Sequence, residues 1–444
     1  MPTYAGVCQA NITPPLGVWM CGYAFRPTGC LGVHDELYAR ALVVDDGDVR
    51  LAMVAMDLIG LDFDLVDQVR QQVSEEVGIP PDGLMLNATH THGGPNVRAF
   101  NTMGSRDPAY TEVLVRKIAG TVKQAADQLR PAQFVYGRAP LQLGINRRQR
   151  RKSDGRMVIG HNYGGPVAPW VDVLGVLDAR GEPFALLFSH ACHGTTLGGD
   201  NLLITADFCG TAYQRIHAHT SGTMMPFFLQ GCAGNINPNP RGTFEHARNH
   251  GFMLADAALE ALSKATPLKQ PILSCEVTSV ELPLLPPPPP EACDRAIAEW
   301  EAKVEEEERT GDMGRILHAR GMLDYARYER RMAERQEKPS TEFTLQLLNV
   351  HGARILGMPA EVFVQYALDF DQQAAGPVIT LGYTNGVHGY LPTAADYDFG
   401  GYEVEAAHRY YGTLMFAPEC EMLVRQASYR MLDIERGVLV PYRV

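Results

Sequence analysis

The sequence predicts an α/β protein: a mixed β-sheet core flanked by helices, with a helical hairpin inserted late in the chain. Three observations predict it. Apolar runs of strand length alternate with stretches in which apolar residues recur at helical spacing. Clusters of Gly, Pro, Asn and Asp separate these runs. The composition, 45% hydrophobic and 20% charged, is that of a chain able to bury a core, which excludes a disordered one.

The elements follow in order. Residues 41–44 and 49–57 are apolar runs around Asp45-Asp46-Gly47-Asp48, the pattern of a β-hairpin. Residues 65–77 place Val66, Val69 and Val73 on one helical face. After a Gly-Ile-Pro-Pro break, residues 84–88 read as a buried strand that delivers Thr89-His90-Thr91-His92-Gly93-Gly94-Pro95 at its end. Residues 110–129 predict a second helix, and 171–177 and 184–189 two more strands. The second of these runs straight into His190-Ala191-Cys192-His193. Residues 206–219 predict a helix, and the run 227–230 enters Gly231-Cys232-Ala233-Gly234-Asn235-Ile236-Asn237-Pro238. Residues 250–265 are again helical in character. Five prolines, Pro286 to Pro290, then mark a stiff spacer. Residues 291–338 read as two helices hinged at Thr310-Gly311-Asp312. We take 283–340 as a proline-led insertion, a solvated helical hairpin in preference to a lid or oligomer contact, within one catalytic domain spanning 1–444. Strands return at 343–350 and 353–357.

Charge and cysteine usage narrow the function classes. The net charge of −12 repels phosphate, and the short cluster Arg147, Arg148, Arg150, Arg151 and Lys152 is no basic stripe, so nucleic acid is excluded as a partner. The best apolar stretch, 51–61, is interrupted at Asp57 and falls short of the roughly 20 residues that span a bilayer. The chain opens without the apolar core of a signal peptide, and its nine cysteines form no CxxC pair. The expectation is a cytoplasmic protein with reduced thiols and no stable membrane association, free to form a homo-oligomer and acting on a small molecule.

The chemistry gathers at strand ends. On an extended segment, residues two apart share a face, so His90 and His92 project together. His193 sits at the end of another apolar strand. Glu361 lies between apolar segments, where a charge must be solvated, paired or metal-bound. A satisfied turn histidine and a helix-start carboxylate are the plain alternatives. Two histidines and a carboxylate also form a frequent catalytic zinc inventory. Residues 384–403 alternate small residues and tyrosines, either as a loop over the core or as a site wall with phenol donors.

These motifs together resemble the catalytic domain of the neutral (alkaline, non-lysosomal) ceramidase family. The resemblance runs from Ala5-Gly6-Val7 and Asn11-Ile12-Thr13-Pro14-Pro15 through Gly32-Val33-His34-Asp35-Glu36-Leu37-Tyr38-Ala39-Arg40-Ala41 and Met56-Asp57. Asn87-Ala88-Thr89-His90-Thr91-His92-Gly93-Gly94-Pro95 is its most specific part, and the segments around His193, 230–238, Glu361, Tyr390 and Tyr402 occur in the family's order. The resemblance implies a zinc ion held by His90, His193, Glu361 and Tyr390. It implies His92 as proton donor or shuttle, Tyr402 as second site tyrosine, and Arg147 as substrate-contacting arginine, with Arg148 nearly equal. Two departures stand out. Asn237 occupies the position where true ceramidases carry a serine before proline, and this chain stops where the family's longer members continue into a C-terminal β-sandwich.

The implied reaction is hydrolysis of an amide bond by zinc-activated water, with Tyr402 and Arg147 on the oxyanion and His92 protonating the leaving amine. The departures, the charge and the missing apolar segments point to a soluble N-acyl substrate. A zinc esterase or lactonase, a non-catalytic metal-stabilised scaffold, and a two-metal phosphoesterase using Asp57 as bridging carboxylate are the competing readings.

Overall fold

In a computed structural model that describes residues 2–99, 102–335 and 338–434, the chain builds three mixed sheets, and each ends in a parallel pair. The first runs, edge to edge, Leu84–Ala88, Arg50–Met56, Tyr38–Asp45, Tyr4–Asn11 and Arg130–Pro131. The second runs Met225–Gln230, Pro183–His190, Trp170–Leu177, Gln133–Pro140 and Thr266–Pro267. The third runs Leu273–Pro283, Ser340–Val350, Ala353–Gly357 and Val378–Leu381. The parallel pairs join Arg50–Met56 to Leu84–Ala88, Pro183–His190 to Met225–Gln230, and Ala353–Gly357 to Val378–Leu381. Chain ends of parallel strands open on the same side, which is where open α/β sheets place their sites.

Alternation within single strands explains the layering. In Tyr38–Asp45, Ala39, Ala41 and Val43 face one core cluster while Leu42 and Val44 face another. The whole strand is therefore apolar, as a doubly covered strand must be. The same split puts Phe343, Leu345 and Leu347 on one side of Ser340–Val350 and Leu348 and Val350 on the other. One cluster, with Leu42, Phe227 and Ile355, lies where the three sheets meet. Helices cover the outer faces: Phe63–Val77 and Pro108–Ala126 on the first sheet, Phe208–His219 and Phe244–Ser263 on the second, Val364–Gln373 and Cys420–Met431 on the third. The predicted α/β class with a mixed sheet core flanked by helices is thus the observed one.

The proline-led segment forms two helices, Pro290–Thr310 and Met313–Ala333, turned at Gly311 in the left-handed region, with the Asp312 side chain capping Arg315 N–H. Pro283 pairs with Ser340, so the hairpin leaves and re-enters the third sheet at adjacent points. It is not solvated all round, as the sequence suggested. The second helix buries Ile316, Ala319, Met322, Leu323 and Ala326, an apolar stripe diluted in the sequence by interleaved Arg, Asp and Glu. Gly321 packs on Thr102 and Gly314 on the backbone of Phe25 and Arg26. All nine cysteines are free thiols, and no described helix is long and apolar enough to cross a membrane.

Candidate active site and metal centre

The three parallel pairs bring four distant segments to one point. The strand Leu84–Ala88 ends at Thr89 and His90, and His90 takes a backbone φ of +60°, outside the strand region. Such strain persists only where the surroundings hold it; here His90 N–H donates to Leu58 O at 2.9 Å and the next segment bridges Thr91 to Gly194. Glycine is required at 194, because a Cβ there would stand 2.6 Å from His90 O. His193 follows the strand Pro183–His190 by three residues, and its N–H donates to Ile236 O. Glu361 opens the two-residue strand Glu361–Val362, which pairs in parallel with Tyr390–Leu391 so that Glu361 lies beside Tyr390.

The polar atoms converge closely. His90 Nε2 is 3.1 Å from His193 Nε2 and 3.3 Å from His92 Nε2. Glu361 Oε2 is 3.2 Å from His90 Nε2 and 3.0 Å from His193 Nε2. Nδ1 of His90 lies 2.6 Å from Ile59 O and Nδ1 of His193 2.6 Å from Ala233 O. A carbonyl accepts only from a protonated nitrogen, so in the neutral rings both Nε2 atoms are left as acceptors. Two imidazole lone pairs and a carboxylate oxygen then face one another in a buried space. A cation resolves this arrangement. Tetrahedral zinc, with bonds near 2.0–2.1 Å, would hold its donors about 3.3 Å apart, close to the spacing found. The carbonyls behind each ring are the usual orienting partners of ligand histidines. Among the described residues, His90, His92 and His193 also form a group whose ligand atoms all lie within 4.8 Å of one another.

The other predicted residues surround this cluster. Arg147 donates to Tyr390 Oη at 2.9 Å, to Asn237 Oδ1 at 3.2 Å and to Glu403 at 2.8 Å, and its Nη1 stands 3.4 Å from His193 Nε2. Arg148 turns the other way, to Asp396, Gly400 O and the second oxygen of Glu403. The strand register shifts between Asn146 and Arg148, which leaves Arg147 out of the ladder and lets the neighbouring side chains part, so the structure separates the two arginines that the sequence left nearly equal. Tyr402 and Tyr390 stand with ring centroids 5.9 Å apart. Both line a cavity of about 50 Å³ with Cys21, His90, His92, Met103 and Tyr411. His92 packs edge-on against Tyr23 with a buried, unpartnered Nδ1. His190, by contrast, turns its Nδ1 to Trp170 O, and Asp57 is spent on Arg40, Tyr38 N–H and Tyr213. Asp57 is therefore no bridging carboxylate.

Electrostatics follow from burial. Desolvation holds His92 neutral, well below the usual histidine range, with His90 and His193 adding to it. Desolvation, then Arg147, lowers His193 to about 4. Burial opposes ionisation of Glu403, but Arg147 and Arg148 outweigh it and hold the carboxyl below its ordinary value. Three functional candidates were missed in the sequence. Glu403 clamps both arginines. The Tyr411 hydroxyl bonds Glu361 Oε1, and Tyr383, at φ +52°, donates to Glu361 Oε2 at 3.3 Å. Only the position of Glu403 next to Tyr402 hinted at it.

The family model described as neutral/alkaline non-lysosomal ceramidase, N-terminal, matches residues 4–274. Neutral ceramidase of Pseudomonas aeruginosa is 25% identical in an alignment covering 100% of this chain and 73% of that protein. Neutral ceramidase of Drosophila melanogaster is 25% identical over 53% of this chain and 36% of its own length. The crystal structure of the Pseudomonas aeruginosa neutral ceramidase matches 99% of this chain and 76% of that one with a TM-score of 0.73 at 21% identity. At that identity the likeness speaks for the fold alone.

Proposed function

Since the chain belongs to the neutral/alkaline non-lysosomal ceramidase family, we propose that it is a zinc-dependent hydrolase cleaving the amide C–N bond of an N-acyl compound. The observation that carries this reading is the meeting of His90 Nε2, His193 Nε2 and Glu361 Oε2 within 3.0–3.2 Å, with Nδ1 of each histidine on a backbone carbonyl. Tyr390, paired beside Glu361, is the fourth proposed donor. Zinc, when bound, supplies a Lewis acid and brings the pKa of water towards about 7.

The remaining work falls to the chain's own residues. Arg147 is charged and anchored by Glu403, so its guanidinium is fixed in direction before substrate arrives. With the Tyr402 hydroxyl it orients the acyl carbonyl and stabilises the charge that grows on its oxygen, where one such donor is worth about 3 kcal/mol. His92 is neutral at rest, so it accepts a proton from the attacking water and passes it to the leaving nitrogen. The tyrosines, Met103, Cys21 and Ile59 give the cavity apolar walls suited to an acyl group, and we extend to this chain the amide of ceramide type that the relatives' names state.

The test is a panel of N-acyl amides of graded chain length, including ceramide, beside matched esters and lactones, assayed with chelated and zinc-reloaded protein. The reading expects zinc-dependent amide cleavage, with His92→Ala losing more rate on amides than on esters, whose leaving groups need less protonation. Zinc-dependent turnover of esters alone would make the protein an esterase instead.

A further inference from the structure

We propose that Gln230 is a positioning residue for the metal centre: its side-chain amide sets the spacing of His90 and His193. The inference rests on the zinc reading above. Gln230 ends the strand Met225–Gln230 and is completely buried. Its Nε2 donates to Thr89 O at 2.9 Å and to Cys192 O at 2.8 Å, and Cys192 N–H donates back to its Oε1 at 3.4 Å. Thr89 and Cys192 are the residues immediately before His90 and His193. One side chain therefore ties together the backbones that carry both proposed histidine ligands, which come from different sheets.

The tie is anchored in the third sheet as well. Gln230 N–H donates to Asn87 Oδ1 at 2.8 Å, and Asn87 Nδ2 donates to Gly382 O at 2.8 Å and Thr384 Oγ1 at 3.1 Å. Gly382 precedes Tyr383, which holds Glu361. The knot thus links all three strand ends directly beneath the donor set. Both N–H groups of the Gln230 amide are spent on these carbonyls, so it has no donor left for substrate. It acts through the ligands. The bond to Thr89 O adds to the contacts that hold the left-handed backbone at His90.

A buried glutamine could merely satisfy two carbonyls, and the test separates the two roles. Gln346 is the matched control: it is equally buried, and its Nε2 donates to Asp82 O at 2.7 Å and to Leu84 O at 3.2 Å, at the far end of the strand that leads to His90, so it holds the same region but no residue adjacent to a proposed ligand. Zinc affinity of chelated protein is measured against a chromophoric chelator for wild type, Gln230→Met and Gln346→Met, with the visible spectrum of the cobalt-loaded forms and the apo-protein melting temperature recorded beside it. Partners that orient a ligand typically govern 10–100-fold in metal affinity, so Gln230→Met is expected to weaken zinc by about that factor and to alter the cobalt spectrum. Gln346→Met is expected to lower the melting temperature and keep zinc affinity within about twofold. Where Gln230→Met does not fold, Gln230→Glu, which keeps the length and one acceptor, takes its place. Equal affinity losses in both variants, unchanged affinity in Gln230→Met, or failure of both Gln230 variants to fold would overturn the assignment. A wild-type protein that binds no zinc would instead overturn the reading on which it rests.

Discussion

The histidine–carboxylate floor of the site and the helical hairpin spend charge in opposite ways. On the floor, His90, His193 and Glu361 are 1%, 0% and 2% exposed, and each ring is fixed by a backbone carbonyl. On the hairpin, Arg327 meets Glu301 at 3.0 Å and Arg320 meets Glu308 at 2.6 Å, with every partner about half exposed. Water screens the second set and not the first. Exposed pairs are worth roughly 0.2–1 kcal/mol, whereas removing one partner of a buried cluster strands the others. The comparison teaches that similar distances carry different consequences, and that the chain concentrates its irreplaceable contacts at the ends of the three parallel pairs.

The comparison breaks most visibly at the floor. His90→Ala and Glu361→Ala should each lose zinc and essentially all turnover together, checked by metal analysis of the purified variant beside its rate. Retained metal with lost rate would place these residues outside the donor set. A smaller effect is expected one step out. Tyr411→Phe removes only the hydroxyl that bonds Glu361 Oε1, and should weaken zinc by about 10-fold or more without unfolding the protein; affinity equal to wild type would reduce Tyr411 to a cavity wall.

Acid sharpens the contrast in a third way. Burial lowers His190 and His388 to about 4, with Arg98 adding to the effect at His388. Their folded pKa values lie below the unfolded value of about 6.5. The unfolded state therefore takes up their protons first, and the stability they contribute is present above about 6.5 and lost as pH falls towards about 4. Urea midpoints of metal-free protein should be level from pH 8 to 7 and decline through pH 6 to 4.5; a flat profile across that window would contradict it. The smallest effect belongs to the hairpin surface. Arg327→Ala should change the unfolding free energy by less than about 1 kcal/mol, and less still at high salt, with zinc affinity untouched.

How much of this was legible in the sequence depended on range. His90 and His92 were visible because an apolar run stops on His-Thr-His, and period two places both rings on one face. The apolar runs on either side of Asp45-Asp46-Gly47-Asp48 gave the strands of 41–57 for a similarly local reason. The meeting of Glu361 with Tyr390 was not legible from spacing, since it depends on a two-residue parallel strand pair; only the family resemblance grouped them. Arg147 and Arg148 stayed equal until Glu403, more than 250 residues away, divided its two oxygens between them. The buried stripe of the helix Met313–Ala333 was masked by its many charges, and the gathering of strands into three sheets is a matter of long-range pairing that no local pattern reports.

The central claim is that His90, His193 and Glu361 hold one zinc ion on which amide hydrolysis depends. Protein stripped by a chelator and titrated with zinc tests it most directly. The account predicts no amide hydrolysis before addition, a linear return of rate, and saturation at one zinc per chain. Full activity in the verified metal-free protein would contradict it.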